Sequence, residues 1–155
     1  MWKVLTKRFL AQGDKVKGKF RILIADRNPY VRQFLRRELI AEGYQATVAK
    51  DGREVLSVIN SSEAPDILIL DLDTPYIFEL SLLELLHEDH PDLPIIIQSW
   101  PAPELNHLKM PSGVAFLENK EDIELLKKTI KEVIEKKYPL RLLAAKLGGQ
   151  SSSSA

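Results

Sequence analysis

Residues 65–75, Pro-Asp-Ile-Leu-Ile-Leu-Asp-Leu-Asp-Thr-Pro, constrain the fold more than any other stretch of the chain. Four branched apolar residues run between prolines and end in two carboxylates, Asp71 and Asp73. A short apolar run without polar alternation is a strand covered on both faces, the pattern of a parallel sheet flanked by helices. In open sheets of that kind ligands bind just beyond the carboxyl ends of the strands, and Asp71 stands there.

The rest of the chain alternates around that strand. Residues 21–26 (RILIAD) form a second apolar run ending in an acid, and Asn28-Pro29 behind it open a helix. Val31, Phe34, Leu35 and Leu39 share one face of that helix, and Gly43 ends it. A strand over 44–49, a turn at Lys50-Asp51-Gly52 and a short helix over 54–60 follow. Beyond the Asp71 strand the sequence predicts a leucine-rich helix over 80–87, a strand over 94–99, a shorter strand over 114–117 and a long helix over 121–137. Ile123, Leu126, Ile130, Val133 and Ile134 make the apolar stripe of the last helix. Pro101, Pro103 and Pro111 leave room for at most one short helix between the last two strands. Strands alternating with helices in this way imply a parallel α/β sandwich with right-handed crossovers.

Composition narrows the class further. The chain has 155 residues, enough for one domain with short extensions, and its 22 basic and 22 acidic residues give no bias toward nucleic acid or another polyanion. It has no cysteine, which removes disulfides and thiolate chemistry. No apolar run approaches the roughly 20 residues that span a bilayer, and residues 1–20 lack the apolar core of a secretory signal, so a cytoplasmic protein is expected. Residues 1–20 form a basic extension in which Lys3, Lys7, Arg8, Lys15, Lys17 and Lys19 face only Asp14. With Trp2, Val4, Leu5, Phe9 and Leu10 that arm has the composition for contact with a membrane surface or partner, although an extension packed on the domain is the simpler reading. Residues 138–155 read as a second extension: Tyr138-Pro139 stops the long helix, 140–147 add a short amphipathic turn, and the glycines and serines after it read as a disordered tail. Neither extension is long enough for a DNA-binding output domain. His87, His90 and His107 are spaced irregularly, as surface residues are.

At the strand ends the residues resemble the receiver domain of response regulators, over residues 21–137. Asp26 and Asp71 end two strands, Ser99 supplies a hydroxyl at the end of the fourth, and Phe116 an aromatic in the fifth. ILIADRNPYVRQFLRRELIAEGY resembles the family's opening strand and helix, DGREVL its second turn and helix, PDILILDLDTP its phosphoacceptor segment, and ENKEDIELL the opening of its last helix. The resemblance implies a doubly wound, flavodoxin-like fold with a five-stranded parallel sheet in the order 2-1-3-4-5, here with a short or distorted fourth helix. It implies that Asp71 is the phosphoacceptor, Ser99 the switch hydroxyl and Phe116 the switch aromatic. It also implies a magnesium ion held by Asp26, Asp71 and the backbone carbonyl of Asp73. Phosphoryl transfer to a carboxylate requires alignment and neutralisation of spreading negative charge, and a hard oxygen-seeking cation suits both. The implied partners are a sensor histidine kinase or phosphotransfer protein and a downstream protein. No enzymatic activity is implied beyond self-phosphorylation and dephosphorylation at Asp71.

Departures from the family pattern cluster in the same pocket. Arg27 stands where the family has its second acid, Asn119 takes the position of the family's lysine, and Lys120 follows it as a possible substitute. A guanidinium beside Asp71 has the geometry to pair with it bidentately and to weaken magnesium binding. The sequence therefore gives two readings: a single-domain response regulator that accepts phosphate on Asp71 in a phosphorelay, or a pseudo-receiver that acts through protein contacts without phosphate. A flavodoxin-like small-molecule binder is more remote, because no glycine-rich loop follows the first strand.

Overall fold

The computed structural model describes residues 20–98, 113–118 and 121–151. Along the chain run β1 (Arg21–Ala25), α1 (Pro29–Ala41), β2 (Gln45–Ala49), α2 (Gly52–Ile59), β3 (Ile67–Leu70), α3 (Leu82–Asp89), β4 (Ile95–Gln98), β5 (Val114–Leu117), α4 (Ile123–Lys137) and α5 (Pro139–Ser151). The strands form one five-stranded sheet ordered β2-β1-β3-β4-β5, every pair parallel, which is the order the resemblance implied. Residues 1–19, the segment between β4 and β5 where a short or distorted helix was expected, and residues 152–155 lie outside the described residues.

Both faces of the sheet are covered, as the unbroken apolar runs require. Ile22, Ile24, Ile67, Ile69 and Ile96 enter one core with Leu35 and Leu39 of α1 and Leu126, Ile130 and Ile134 of α4. Leu23, Ala25, Leu68, Leu70, Ile95 and Ile97 enter the other with Val55 and Ile59 of α2 and Leu82, Leu83 and Leu86 of α3. Successive residues of a strand point to opposite faces, so one apolar run feeds two cores. Burying each such side chain is worth about 1.5–3 kcal/mol.

Helix ends follow local chemistry. The Asn28 side chain accepts from the Tyr30 amide at 2.9 Å, Pro29 fills the first helical position, and Gly43 leaves α1 at φ 101°. Asp122 caps α4 by accepting from the Leu125 amide at 3.0 Å. α3 starts two residues later than its leucines suggested, because Ser81 sits at φ 50° and cannot join the helix. α2 starts earlier, at Gly52, since Asp51 rather than the turn's end provides its cap.

The C-terminal extension differs most from expectation. Pro139 does end α4, but it also occupies the first turn of a new helix of 13 residues, so Gly148, expected in a disordered tail, is helical. Asp66, just before β3, explains why this helix is ordered. Its carboxylate accepts from the Arg21 amide at 2.7 Å and from both terminal nitrogens of Arg141, one of them at 2.9 Å, while its carbonyl accepts from the Tyr138 hydroxyl at 2.7 Å. The Arg141 guanidinium also lies 4.8 Å from the centre of the Phe20 ring and 5.4 Å from that of Tyr138. Leu142 and Ala145 pack on the first core. Burial first, then the Asp66 charge, pushes the Tyr138 phenol up to about 12.

Candidate functional site

The carboxyl edge of the sheet gathers polar side chains that are almost wholly out of water. Ala25 pairs with Leu70 and Leu70 with Ile97, so the next residues, Asp26, Asp71 and Gln98, form a row across β1, β3 and β4. The Asp71 amide still donates to the Ala25 carbonyl at 2.9 Å, extending the ladder past the strand. Because Ala25, Leu70 and Ile97 face the second core, alternation places the row on the opposite side, above the first. Asp26, Asp71 and Gln98 are only 2%, 1% and 1% exposed.

Short loops hold the acids. Asp26 accepts from the Asn28 amide at 2.8 Å, and its carbonyl accepts from the Arg32 guanidinium at 2.7 Å, which ties the β1 end to α1. After Asp71 the chain turns back on itself: the Asp73 amide donates to the Asp71 carboxylate at 3.2 Å and the Thr74 amide to its carbonyl at 3.0 Å. The same loop is clamped to α2. The Gly52 amide donates to the Pro75 carbonyl at 2.8 Å, and the Arg53 guanidinium stacks 4.2 Å from the centre of the Tyr76 ring, whose residue sits at φ 67°.

Asp51 orients that clamp. Its carboxylate accepts from the amides of Arg53 and Glu54 at 2.9 and 3.0 Å and from the Arg53 guanidinium at 3.0 Å. The Arg53 hydrogen bond, then the Glu54 amide, holds its carboxyl below the usual carboxylate range. The stabilisation is therefore present above the ordinary aspartate value, about 4, and is lost as pH falls through the depressed one. Thermal unfolding from pH 7 to pH 2 should show Asp51→Asn less stable than wild type near neutrality and the gap closing below about pH 4. A gap that stays constant with pH would contradict this role for the charge.

Arg27 does not make the bidentate pair with Asp71 that the sequence suggested. Its Nε lies 4.0 Å from Asp71 Oδ2 and a terminal nitrogen lies 3.8 Å from Asp73 Oδ2, both beyond hydrogen-bond length. The Asp73 carboxylate is 61% exposed and Arg27 is 62% exposed, so the guanidinium shares its charge between a buried acid and a solvated one. Such a contact neutralises without locking, so the bidentate lock, one of the departures behind the pseudo-receiver reading, is absent.

Of the other residues singled out in the sequence, Phe116 lies beside Ile97 on β5 and is 43% exposed. Ser99, Asn119 and Lys120 lie outside the described residues. Asp26, Asp71 and the Asp73 carbonyl are hard oxygen donors of the kind magnesium takes. A dication among them would meet a guanidinium already at ion-pair distance, and no group of three or more His, Cys, Asp or Glu among the described residues could hold a metal ion. Two carboxylates and a main-chain carbonyl are nevertheless a partial magnesium shell that water would complete, with the Arg27 charge beside it weakening the ion's hold.

Two buried donors at this edge stand out. Thr74 Oγ1 and Gln98 Nε2 have no hydrogen-bond partner among the described residues, and their residues are 3% and 1% exposed. Leaving such a group unsatisfied costs about 1–3 kcal/mol. Sequence reasoning passed over Gln98 and Asp51. The signals were present: Gln98 is the one polar residue of β4, and Asp51 stands three residues before Glu54, the spacing of a capping box.

A doubly wound parallel sheet with two buried carboxylates side by side at its switch point is a flavodoxin-like domain with an acidic site. The model of the response regulator receiver domain matches residues 22–130, and the chain belongs to that family. Response regulator MprA of Mycolicibacterium vanbaalenii is 40% identical over 77 residues, which cover 50% of this chain and 33% of that protein. The match thus spans about a third of the length of that relative. Among solved structures, the response regulator TrrA of Thermotoga maritima in complex with Mg2+-BeF is 26% identical, with a TM-score of 0.62 over 74% of this chain and 98% of that one. The receiver domain of the Francisella response regulator 1452 is 29% identical, with a TM-score of 0.64 over 76% and 98%. A complex of the histidine kinase ThkA with TrrA matches at 27% identity and a TM-score of 0.61, over 74% and 98%. Residues 22–130 are the receiver domain of a two-component response regulator. No helix among the described residues is long and apolar enough to cross a membrane.

Proposed function

We propose that Asp71 is the phosphoacceptor of this receiver domain, and that Arg27 supplies part of the positive charge the transfer needs. The observation that carries this reading is the Asp71 carboxylate, 1% exposed at the carboxyl edge of the central strand, with the Arg27 guanidinium 4.0 Å away. An Asp71 oxygen forms the bond to phosphorus as the bond to the donor's imidazole nitrogen, or to acetate, breaks. The leaving group departs with the electron pair, and charge spreads over the three equatorial oxygens. A guanidinium beside those oxygens lowers the barrier by offsetting part of the charge that develops on them.

The donor is then a phosphohistidine of a sensor kinase or phosphotransfer protein, and the output is a change in which protein the domain binds. The family and the ThkA–TrrA complex of the relative support the kinase partner. The working compartment is the cytoplasm, and the domain performs no chemistry beyond gaining and losing its own phosphoryl group. Magnesium adds weakly to a pocket that already holds a guanidinium.

Incubation with acetyl phosphate followed by intact-mass measurement and peptide mapping tests the assignment. One phosphoryl group on Asp71, absent from Asp71→Asn, is expected. Absence of any adduct, or an adduct on another residue, would overturn it.

A further inference from the structure

We propose that the side-chain amide of Gln98 is a hydrogen-bond donor to the phosphoryl oxygens carried at Asp71, making it a positioning residue of the acceptor site. The inference rests on the reading of Asp71 as phosphoacceptor and assigns a residue to it.

Position comes first. Leu70 pairs with Ile97, so Gln98 is the cross-strand neighbour of Asp71 and shares its face of the sheet. Burial comes second: the residue is 1% exposed, at the end of a strand whose other members, Ile95, Ile96 and Ile97, are 0% exposed. The third observation concerns the donor itself, since Nε2 has no partner among the described residues. Buried amides nearly always find an acceptor, so one left without a partner beside a carboxylate edge is poised for an acceptor that arrives later. A tetrahedral phosphoryl group on Asp71 brings three acceptor oxygens to the edge where Gln98 stands.

Chemistry favours an amide here. A neutral donor fixed in a dry site stabilises developing oxyanion charge without adding a second cation to a pocket that already has Arg27. The Gln98 side chain is held out of water before the phosphoryl group arrives, so it needs no desolvation during transfer.

The test uses Gln98→Met, which keeps length and volume and removes the donor. In wild-type protein titrated with beryllofluoride and magnesium, the Gln98 side-chain amide resonances should move downfield. Gln98→Met should bind beryllofluoride about tenfold more weakly, the equivalent of one hydrogen bond of about 1.4 kcal/mol. The same variant should melt at a higher temperature than wild type, which shows that it is folded. An unmoved Gln98 resonance, or equal affinity in the variant, would overturn the proposal and leave Asp71 as acceptor untouched. Failure of wild-type protein to take up either beryllofluoride or acetyl phosphate would overturn the acceptor reading, and the role of Gln98 with it.

Discussion

Gly52→Val is expected to destabilise the domain by about 3 kcal/mol, the upper end of the usual cost of overpacking. A Cβ at Gly52 would lie 2.8 Å from the Tyr76 carbonyl oxygen and 3.0 Å from its carbon. Both are backbone atoms, so no side chain can swing away to relieve the contact. The Gly52 amide is also bonded to the Pro75 carbonyl at 2.8 Å, which holds the two segments together from the other side. Relief therefore requires the loop after Asp71 to move, and the substitution should slow phosphorylation as well as lower the melting temperature. Gly52→Ala carries the same Cβ and should show a smaller loss of the same sign. A Gly52→Ala protein as stable as wild type, measured by urea unfolding, would show that α2 and the loop are not in this contact.

Asp66→Ala should have a comparable effect but a different signature. It leaves the Arg21 amide and the Arg141 guanidinium without the carboxylate they share. Hydrogen bonds to charged groups contribute about 1.5–3 kcal/mol, and Arg141 ties α5 to Asp66 at the start of the central strand. α5 should therefore detach before the rest of the domain unfolds. Amide hydrogen exchange is the measurement: protection across residues 140–148 should collapse, while β1 and β3 keep theirs. Uniform loss of protection throughout the domain would contradict a local latch.

These cases also show where the sequence stops being informative. The strand at residues 67–70 was legible because burial on both faces leaves an unbroken apolar run, a signal contained in the run itself. The strand order came from the family likeness, since apolar periodicity carries no information about which strands are neighbours. The α5 helix was missed because its cause is remote: Asp66 meets Arg21, 45 residues away, and Arg141, 75 residues away. Residues 139–151 alone read as a proline, a leucine-rich turn and a polar tail. The Arg27–Asp71 pair was read too tightly, because an exposed arginine is directed by whichever carboxylates surround it. The exposed Asp73 was the competing partner. Gln98 looked like an ordinary strand end until its burial and its register with Asp71 were known.

The charge beside Asp71 is tested most directly by the magnesium dependence of adduct formation. Acetyl phosphate should modify wild-type Asp71 at rates that change less than about tenfold between chelator and excess magnesium, because Arg27 already supplies a cation. Arg27→Asp should convert the pocket to three acids and make the same reaction steeply magnesium-dependent. A wild-type protein that forms no adduct without magnesium, with an Arg27→Asp variant showing the same magnesium midpoint, would contradict the account.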